Sequence, residues 1–171
     1  MMKFLIGVLL IFISAWFTAY QDQYNRYERY MLKAKFDAEE VAAAAAQYFM
    51  PIEYSEGKYV FNQQEGIKAA EYILKKRLEL DNAFKPSLNT YWTDTITYKI
   101  EFFDDSNTIY PYLYTHESSY FTEVITNPTV VVTINLGKPR FSTIRAILPR
   151  YFVPQHILLE NVRGLYAWGY S

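Results

Sequence analysis

The hydrophobic positions of the first fifty residues follow one continuous helical pattern, whose beginning predicts a membrane anchor. No charged residue occurs from Phe4 to Tyr20, and about seventeen residues is the lower limit for a helix that spans a bilayer. Trp16 and Tyr20 stand at the far end, where aromatic rings favour the membrane interface. Lys3 precedes the segment and favours an amino end in the cytoplasm. The predicted anchor residues are Phe4, Leu5, Ile6, Leu9, Leu10, Ile13, Trp16, Phe17 and Tyr20.

A cleaved signal peptide is the alternative explanation of the same segment, because a short apolar stretch after one lysine has a similar composition. Cleavage after Ala15 would place small or apolar residues at the recognition positions, whereas cleavage after Ala19 would place Phe17 there. The helical pattern continues past both points without a break. We therefore favour a retained anchor.

Past the anchor, apolar and small residues recur at alternating steps of four and three, with no Pro before Pro51. This repeat describes one helix face that packs along a neighbour, and a helix from Phe4 to Phe49 would be about 69 Å long. Part of the face must lie on the chain's own domain, and the rest is expected to contact a partner helix or lipid. Replacing Ala38 and Ala45 with Leu would then disturb assembly and leave the domain folded. We call this face the seam; its residues are Tyr24, Tyr27, Met31, Ala34, Ala38, Val41, Ala45 and Tyr48.

The periodicity then changes and predicts an α+β domain. Asn62 to Glu65 has the spacing of a capping box, which opens a helix over 63–81 with a buried stripe of Ile67, Ala70, 72–74 and Leu78. The stretch from Trp92 to Phe102 alternates between apolar and polar residues, as a half-buried strand does. Further strands are expected at 59–61, 108–115, 119–126, 129–136 and, at the end, around Val162 to Trp168, with a short helix over 141–147. We expect an antiparallel meander covered on one face by helices, with Pro111 at an edge or bulge.

Composition excludes several classes of protein. The 171 residues contain no cysteine, which rules out a disulfide scaffold and a thiolate metal site. The net charge of −1 gives no general basic surface for nucleic acid. Aromatic residues make up 19% of the chain, with 17 tyrosines, yet the mean hydropathy is only −0.13. The apolar residues are therefore concentrated in particular segments.

The sequence offers little for catalysis or cofactor binding. The two histidines, His116 and His156, have no metal-ligand spacing. Ser118 and Ser119 follow His116 without a nucleophile-elbow motif, and we interpret this stretch as a loop. Asp104 and Asp105 without further oxygen ligands are typical of a solvated turn. We expect no enzyme activity, no metal and no cofactor.

Charged residues are segregated along the chain. The stretch 94–123 holds one lysine and six acids, whereas 138–163 holds five bases and one acid. Two explanations stay open: the stretches neighbour each other within the domain, or they form complementary surfaces between subunits. The bases that would make such subunit contacts are Lys138, Arg140, Arg145 and Arg150.

Two segments carry a resemblance to a known family. KFDAEEVAAAAAQYF resembles the post-membrane helix of TadE/TadG-like proteins of tight-adherence pilus systems, in which an Asp precedes a run of alanines. VVVTINLGKPRFSTIRAIL is similar to the valine-rich strand of that family, which a proline and a short helix follow. The chain departs from pilins in that Gly7 has Phe12, and not Glu, at the fifth following position. The resemblance implies a minor or accessory assembly component, exported to the outer face of a cytoplasmic membrane and without catalytic activity.

The sequence thus predicts an α+β, pilin-like protein: an anchor over 1–20, an extension of the same helix over 21–50, and an exported domain over 51–171 whose antiparallel sheet packs against helices. Its partners would be the lipid bilayer and other membrane or pilus assembly proteins, or itself. The alternative is a membrane-tethered module outside the cytoplasm that binds a ligand through an aromatic sheet surface formed by Trp92, Tyr110, Tyr112 or Tyr114.

Overall fold

A computed structural model describes residues 2–116, 122–136, 139–140 and 161–167, and it shows an α+β protein with one long helix and small antiparallel sheets. The predicted helix over 141–147 lies outside the described residues. The helices are α1 (Met2–Ala46), α2 (Pro51–Ser55) and α3 (Gln63–Leu78), and the strands are β1 (Thr97–Phe103), β2 (Tyr112–Thr115), β3 (Thr122–Ile125), β4 (Thr129–Asn135) and β5 (Asn161–Ala167).

Helix α1 is continuous over 45 residues, because its sequence lacks internal proline and is rich in helix formers. It ends at Ala46, three residues before Phe49. Phe49 instead forms an isolated antiparallel bridge with Phe61, which is all that remains of the strand predicted at 59–61. Pro51 occupies the first turn of α2, a position where its missing N–H costs nothing.

Helix α3 begins at the predicted cap, where the Asn62 side chain accepts a hydrogen bond from the backbone N–H of Glu65. It ends at Leu78, since Glu79 adopts a left-handed conformation. The predicted buried stripe was wrong in part, because Ile67 and Tyr72 are exposed. The buried positions repeat every four residues instead: Gly66, Ala70, Leu74 and Leu78.

The main sheet has the antiparallel order β1-β4-β5, and β2 and β3 form a separate hairpin. The expected meander was therefore wrong: β1 pairs with β4, as in the partners Phe102 and Val130, and the hairpin lies between them in sequence only. The described part of the predicted last strand pairs with β4 along its whole length. β4 occupies the centre because it is apolar on both faces, which suits a strand covered from both sides.

The two faces of β4 pack against different layers. Val130, Val132 and Ile134 share one core with α1, α3 and the predicted apolar face of β1. Val131 points to the other side, where it packs with Tyr114 and Ile125 of the hairpin. The described residues thus form three layers, with helices on one side of the sheet and the hairpin on the other.

Candidate functional site

The first half of α1 projects from the domain with its apolar side chains uncovered. All nine predicted anchor residues are exposed, and the helix is long and apolar enough to cross a membrane, with none of its most apolar window buried inside the protein. A core helix of a soluble protein would bury such a window. The projecting half therefore has the properties of a membrane-spanning segment.

The seam changes from exposed to buried at Tyr27. Tyr24 is exposed, and Tyr48 lies exposed beyond the end of α1. From Tyr27 to Ala45 the seam residues are buried, apart from Met31, which is partly buried against the same core. Ala38 and Ala45 have no exposed surface, so Leu at either position would be forced into the chain's own core. The expectation that these two substitutions would leave the domain folded is not compatible with this packing.

A different part of α1 faces outwards beside the domain. Leu32 and Phe36 are one turn apart, and 55% and 57% of their surfaces are exposed. Sequence reasoning missed them because they lie off the four-three repeat. Their spacing of four residues, between charged neighbours, is the signal that would have found a second apolar stripe.

At the base of the projecting half, α1 borders a groove with a cavity volume of about 130 Å³. Three segments that are far apart in sequence form it: one face of α1, the end of α3 and the loop that precedes β1. The lining residues are Tyr30, Lys33, Ala34, Asp37, Arg77, Leu78, Glu79, Asn89, Thr90, Tyr91 and Trp92.

Asp37 is the most unusual residue of this groove. Only 5% of its surface is exposed, and its Oδ2 has no hydrogen-bond partner among the described residues. Burial raises the pKa of its carboxyl above the ordinary value of 3.8, although Lys33 and Arg77 act in the opposite direction. Arg77 is already engaged, since its guanidinium lies 2.6 Å from the Glu40 carboxylate. One oxygen of this buried carboxyl group therefore lacks a hydrogen-bond donor in the described structure.

Tyr91, another residue that lines the groove, has a second unsatisfied polar atom. Its ring stacks on Tyr30 with centroids 4.0 Å apart and planes 3° from parallel. Its hydroxyl is buried and finds no partner in the described part of the chain, and burial raises its pKa to about 12. The hydroxyl is thus neutral at physiological pH and can accept one hydrogen bond and donate another.

Among the four predicted subunit-contact bases, the structure describes Arg140. It is exposed, but its guanidinium donates a hydrogen bond to the carbonyl of Leu88 and its backbone N–H bonds to the carbonyl of Tyr91 at 2.5 Å. Arg140 therefore holds the groove loop in place. Lys138, Arg145 and Arg150 lie outside the described residues.

The remaining candidate chemistry has structural roles. His116 is buried, with its Nε2 3.2 Å from the Thr133 hydroxyl, and Ser118 and Ser119 lie outside the described residues. Asp104 accepts a hydrogen bond from the Phe61 backbone N–H at 3.0 Å, and Asp105 accepts one from Tyr59 at 2.6 Å. In the ranges that the structure covers, no three His, Asp or Glu side chains are grouped to hold a metal ion.

The aromatic residues of the alternative binding module are largely internal. Trp92 and Tyr114 are buried in the two cores, and Tyr110 is partly buried. Tyr112 is exposed, although its ring stacks on Phe103. A ligand-binding aromatic sheet surface would have to rely on Tyr112.

The chain matches no protein-family model, no curated protein and no solved structure. The site must therefore be interpreted from its own geometry, which combines an uncovered apolar helix with a polar groove at its base.

Proposed function

We propose that the protein is a non-enzymatic, single-pass membrane component of a pilus-like or secretion assembly, with its α+β domain outside the cytoplasm. The observation that carries this proposal is the continuity of α1, which runs without interruption from an uncovered apolar segment into the core of the domain. The resemblance of the segment around Asp37 to TadE/TadG-like proteins agrees with it.

Continuity matters because it fixes the domain to the membrane. Seven residues separate Tyr20 from Tyr27, where burial in the domain begins, and this corresponds to about 10 Å of helix. A helix interrupted by glycine or proline would allow the domain to swing. Here the domain stands close to the bilayer in one orientation relative to the helix, as a subunit that packs beside others requires.

The partner surface in this proposal is the outward stripe of Leu32 and Phe36. Apolar side chains exposed on a helix beside a membrane gain by packing on another helix, because packing removes them from water. The buried seam residues are already covered by the chain's own sheet and α3. This assignment replaces Ala38 and Ala45 as the positions that test assembly.

Site-directed crosslinking can test the proposal, because the chain has no native cysteine. We expect a short photocrosslinker attached to a Phe36→Cys variant in native membranes to form discrete adducts with a second copy or with another membrane protein. The matched control is Tyr72→Cys, which is 65% exposed but lies on α3 and not on α1. Equal adduct patterns from both positions, or extraction of the wild-type protein from membranes by alkaline carbonate, would contradict the proposal.

A further inference from the structure

We propose that the outward stripe of Leu32 and Phe36 binds a second copy of this chain, in a parallel, twofold-symmetric pair of α1 helices. The inference rests on the proposed function, since it names the partner of the surface assigned there. The stripe lies on the side of α1 opposite Ala34 and Val41, which are buried in the chain's own domain. Two copies can therefore meet along the stripe with their domains on opposite sides of the helix pair.

A shared anchor fixes how two copies meet. Both α1 helices leave the bilayer in the same direction and at the same height, so a twofold axis along the membrane normal relates them. Each stripe then packs on the same stripe of the other copy, which removes apolar surface of both chains from water. That surface is large, because Leu32 is 55% and Phe36 57% exposed. The apolar contact ends before Glu39, two turns beyond Leu32.

The charges that flank the stripe select a second copy. At about 3.6 residues per turn, Glu28 and Lys35 lie about 60–80° to one side of the midline between Leu32 and Phe36. On the other side, at similar angles, lie Lys33 and Glu40, with Arg29 closer to the midline. The two flanks thus carry opposite signs in the same order along the helix.

In a parallel pair, one flank of each helix faces the opposite flank of the other, and residues five positions apart meet there. Glu28 then meets Lys33 of the second copy, with Arg29 of that copy as a further positive group. Lys35 likewise meets Glu40 of the second copy. Twofold symmetry makes each pair twice, so the sequence of α1 is complementary to itself.

The flanking side chains are accessible for these contacts. Glu28, Lys33 and Lys35 are exposed, and no ion pair in the described part of the chain includes Glu28 or Lys35. Glu40 bonds to Arg77 of its own chain, yet 41% of its side chain is exposed. A partner of different sequence would have to reproduce the order of signs on both flanks.

The anchor continues the same face into the bilayer. Its only glycine, serine and threonine are Gly7, Ser14 and Thr18, and all three lie within about 20° of the midline of the stripe. Small residues allow membrane helices to approach closely, and a Cβ atom at Gly7 would meet nothing within 4 Å. The Thr18 hydroxyl donates to the Ser14 carbonyl at 2.9 Å, so it is satisfied within the bilayer. This face of the anchor therefore agrees with the partner that the charges select.

Self-association of the full-length chain in proteoliposomes tests the proposal. Energy transfer between dyes on Tyr72→Cys, an exposed position of α3, gives the dissociation constant as the protein-to-lipid ratio is varied. Glu28→Lys and Lys33→Glu should each weaken the dimer by about twofold to thirtyfold, because two exposed ion pairs are lost. A mixture of these two variants should recover association, since the reversed charges then face each other. Lys58→Glu, an exposed charge reversal in the loop after α2, is the matched control and should associate as the wild type does.

Two variants locate the contact on the stripe. Phe36→Ala should weaken the dimer by about tenfold to hundredfold, because two half-exposed rings leave the contact. Asn25→Cys lies on the midline, seven residues before Leu32, and should form a disulfide-linked dimer in native membranes treated with copper phenanthroline. Tyr72→Cys should form none under the same treatment.

Three results would overturn the inference: a monomer at every protein-to-lipid ratio, no gain of the mixture over either charge variant alone, and no disulfide dimer of Asn25→Cys. Capture of a different protein, and never a second copy, by the photocrosslinker on Phe36→Cys would also overturn it while leaving the proposed assembly function intact. Release of the wild-type protein from membranes by alkaline carbonate would contradict the proposed function itself.

Discussion

Gly66 of α3 lies close against the last turn of α1, and its replacement by Ala gives a sharp test of this packing. A Cβ atom at Gly66 would lie 2.9 Å from the backbone oxygen of Ala45 and 3.3 Å from two ring carbons of Phe102. The ring can shift slightly. The Ala45 oxygen belongs to the last turn of α1 and can move only if the helices separate.

Two effects of opposite sign determine the outcome. Ala is the better helix former, by about 1 kcal/mol relative to Gly. Insertion of a methyl group into a close-packed contact costs about 1–3 kcal/mol. Because the nearest atom is a backbone oxygen at 2.9 Å, we expect a steric cost in the upper part of this range, about 2–3 kcal/mol. The net loss in the free energy of unfolding is then about 1–2 kcal/mol. For a chain of this size the melting temperature should fall by about 2–8 °C.

Thermal unfolding of the full chain in detergent micelles, followed by circular dichroism, measures this change. Lys68 provides the matched control, since it lies exposed two residues further along α3. The difference between Lys68→Gly and Lys68→Ala isolates the helix-forming advantage of Ala without any packing effect. A Gly66→Ala protein that is as stable as the wild type, or more so, would refute the close approach of the two helices.

Two further predictions concern buried carboxyl groups. Asp104→Ala should lower the free energy of unfolding by about 2–3 kcal/mol, because the buried N–H of Phe61 loses its acceptor, whereas Asp104→Asn retains an acceptor oxygen and should lose less in the same denaturant titration. Asp37→Asn should raise the free energy of unfolding at pH 7 by on the order of 1 kcal/mol. Burial raises the pKa of Asp37 in the folded state, so the wild type loses stability as pH rises from 3.8 through the folded-state pKa. The advantage of Asp37→Asn should therefore disappear below pH 3.8, and a constant advantage at every pH would contradict the assignment.

Periodicity was sufficient to predict the elements that bury one face. The predicted strand from Trp92 to Phe102 is shorter than expected, because β1 begins at Thr97. Its predicted apolar face nevertheless lies on the core, and the four-three repeat of α1 coincides with the buried face of that helix from Tyr27 onwards. Both patterns arise because a face in contact with a core must be apolar at the period of its backbone. The strand order could not be obtained in this way. β4 is buried from Thr129 to Ile134. The sequence of a strand that is buried at every position does not indicate which neighbouring element covers which of its faces.

The groove could not be predicted because it joins residues 30–37, 77–79 and 89–92, which only the fold brings together. The sequence does place Asp37 five residues before the alanine run 42–46, and the structure shows what the small residues around Asp37 do. Ala34 and Ala38, one turn before and one residue after Asp37, are 2% and 0% exposed. Their small side chains allow neighbouring elements to approach α1 closely.

The same close approach removes water from Asp37 without supplying a partner for its Oδ2. If packing alone determined residue 37, Ala or Asn would serve better, since each avoids the cost of an unpaired buried carboxylate. A sequence that is otherwise consistent with its fold departs from that consistency where a function requires it. Asp37→Asn should therefore stabilise the domain, and the cost of the buried carboxylate marks residue 37 as a position where stability alone does not determine the sequence.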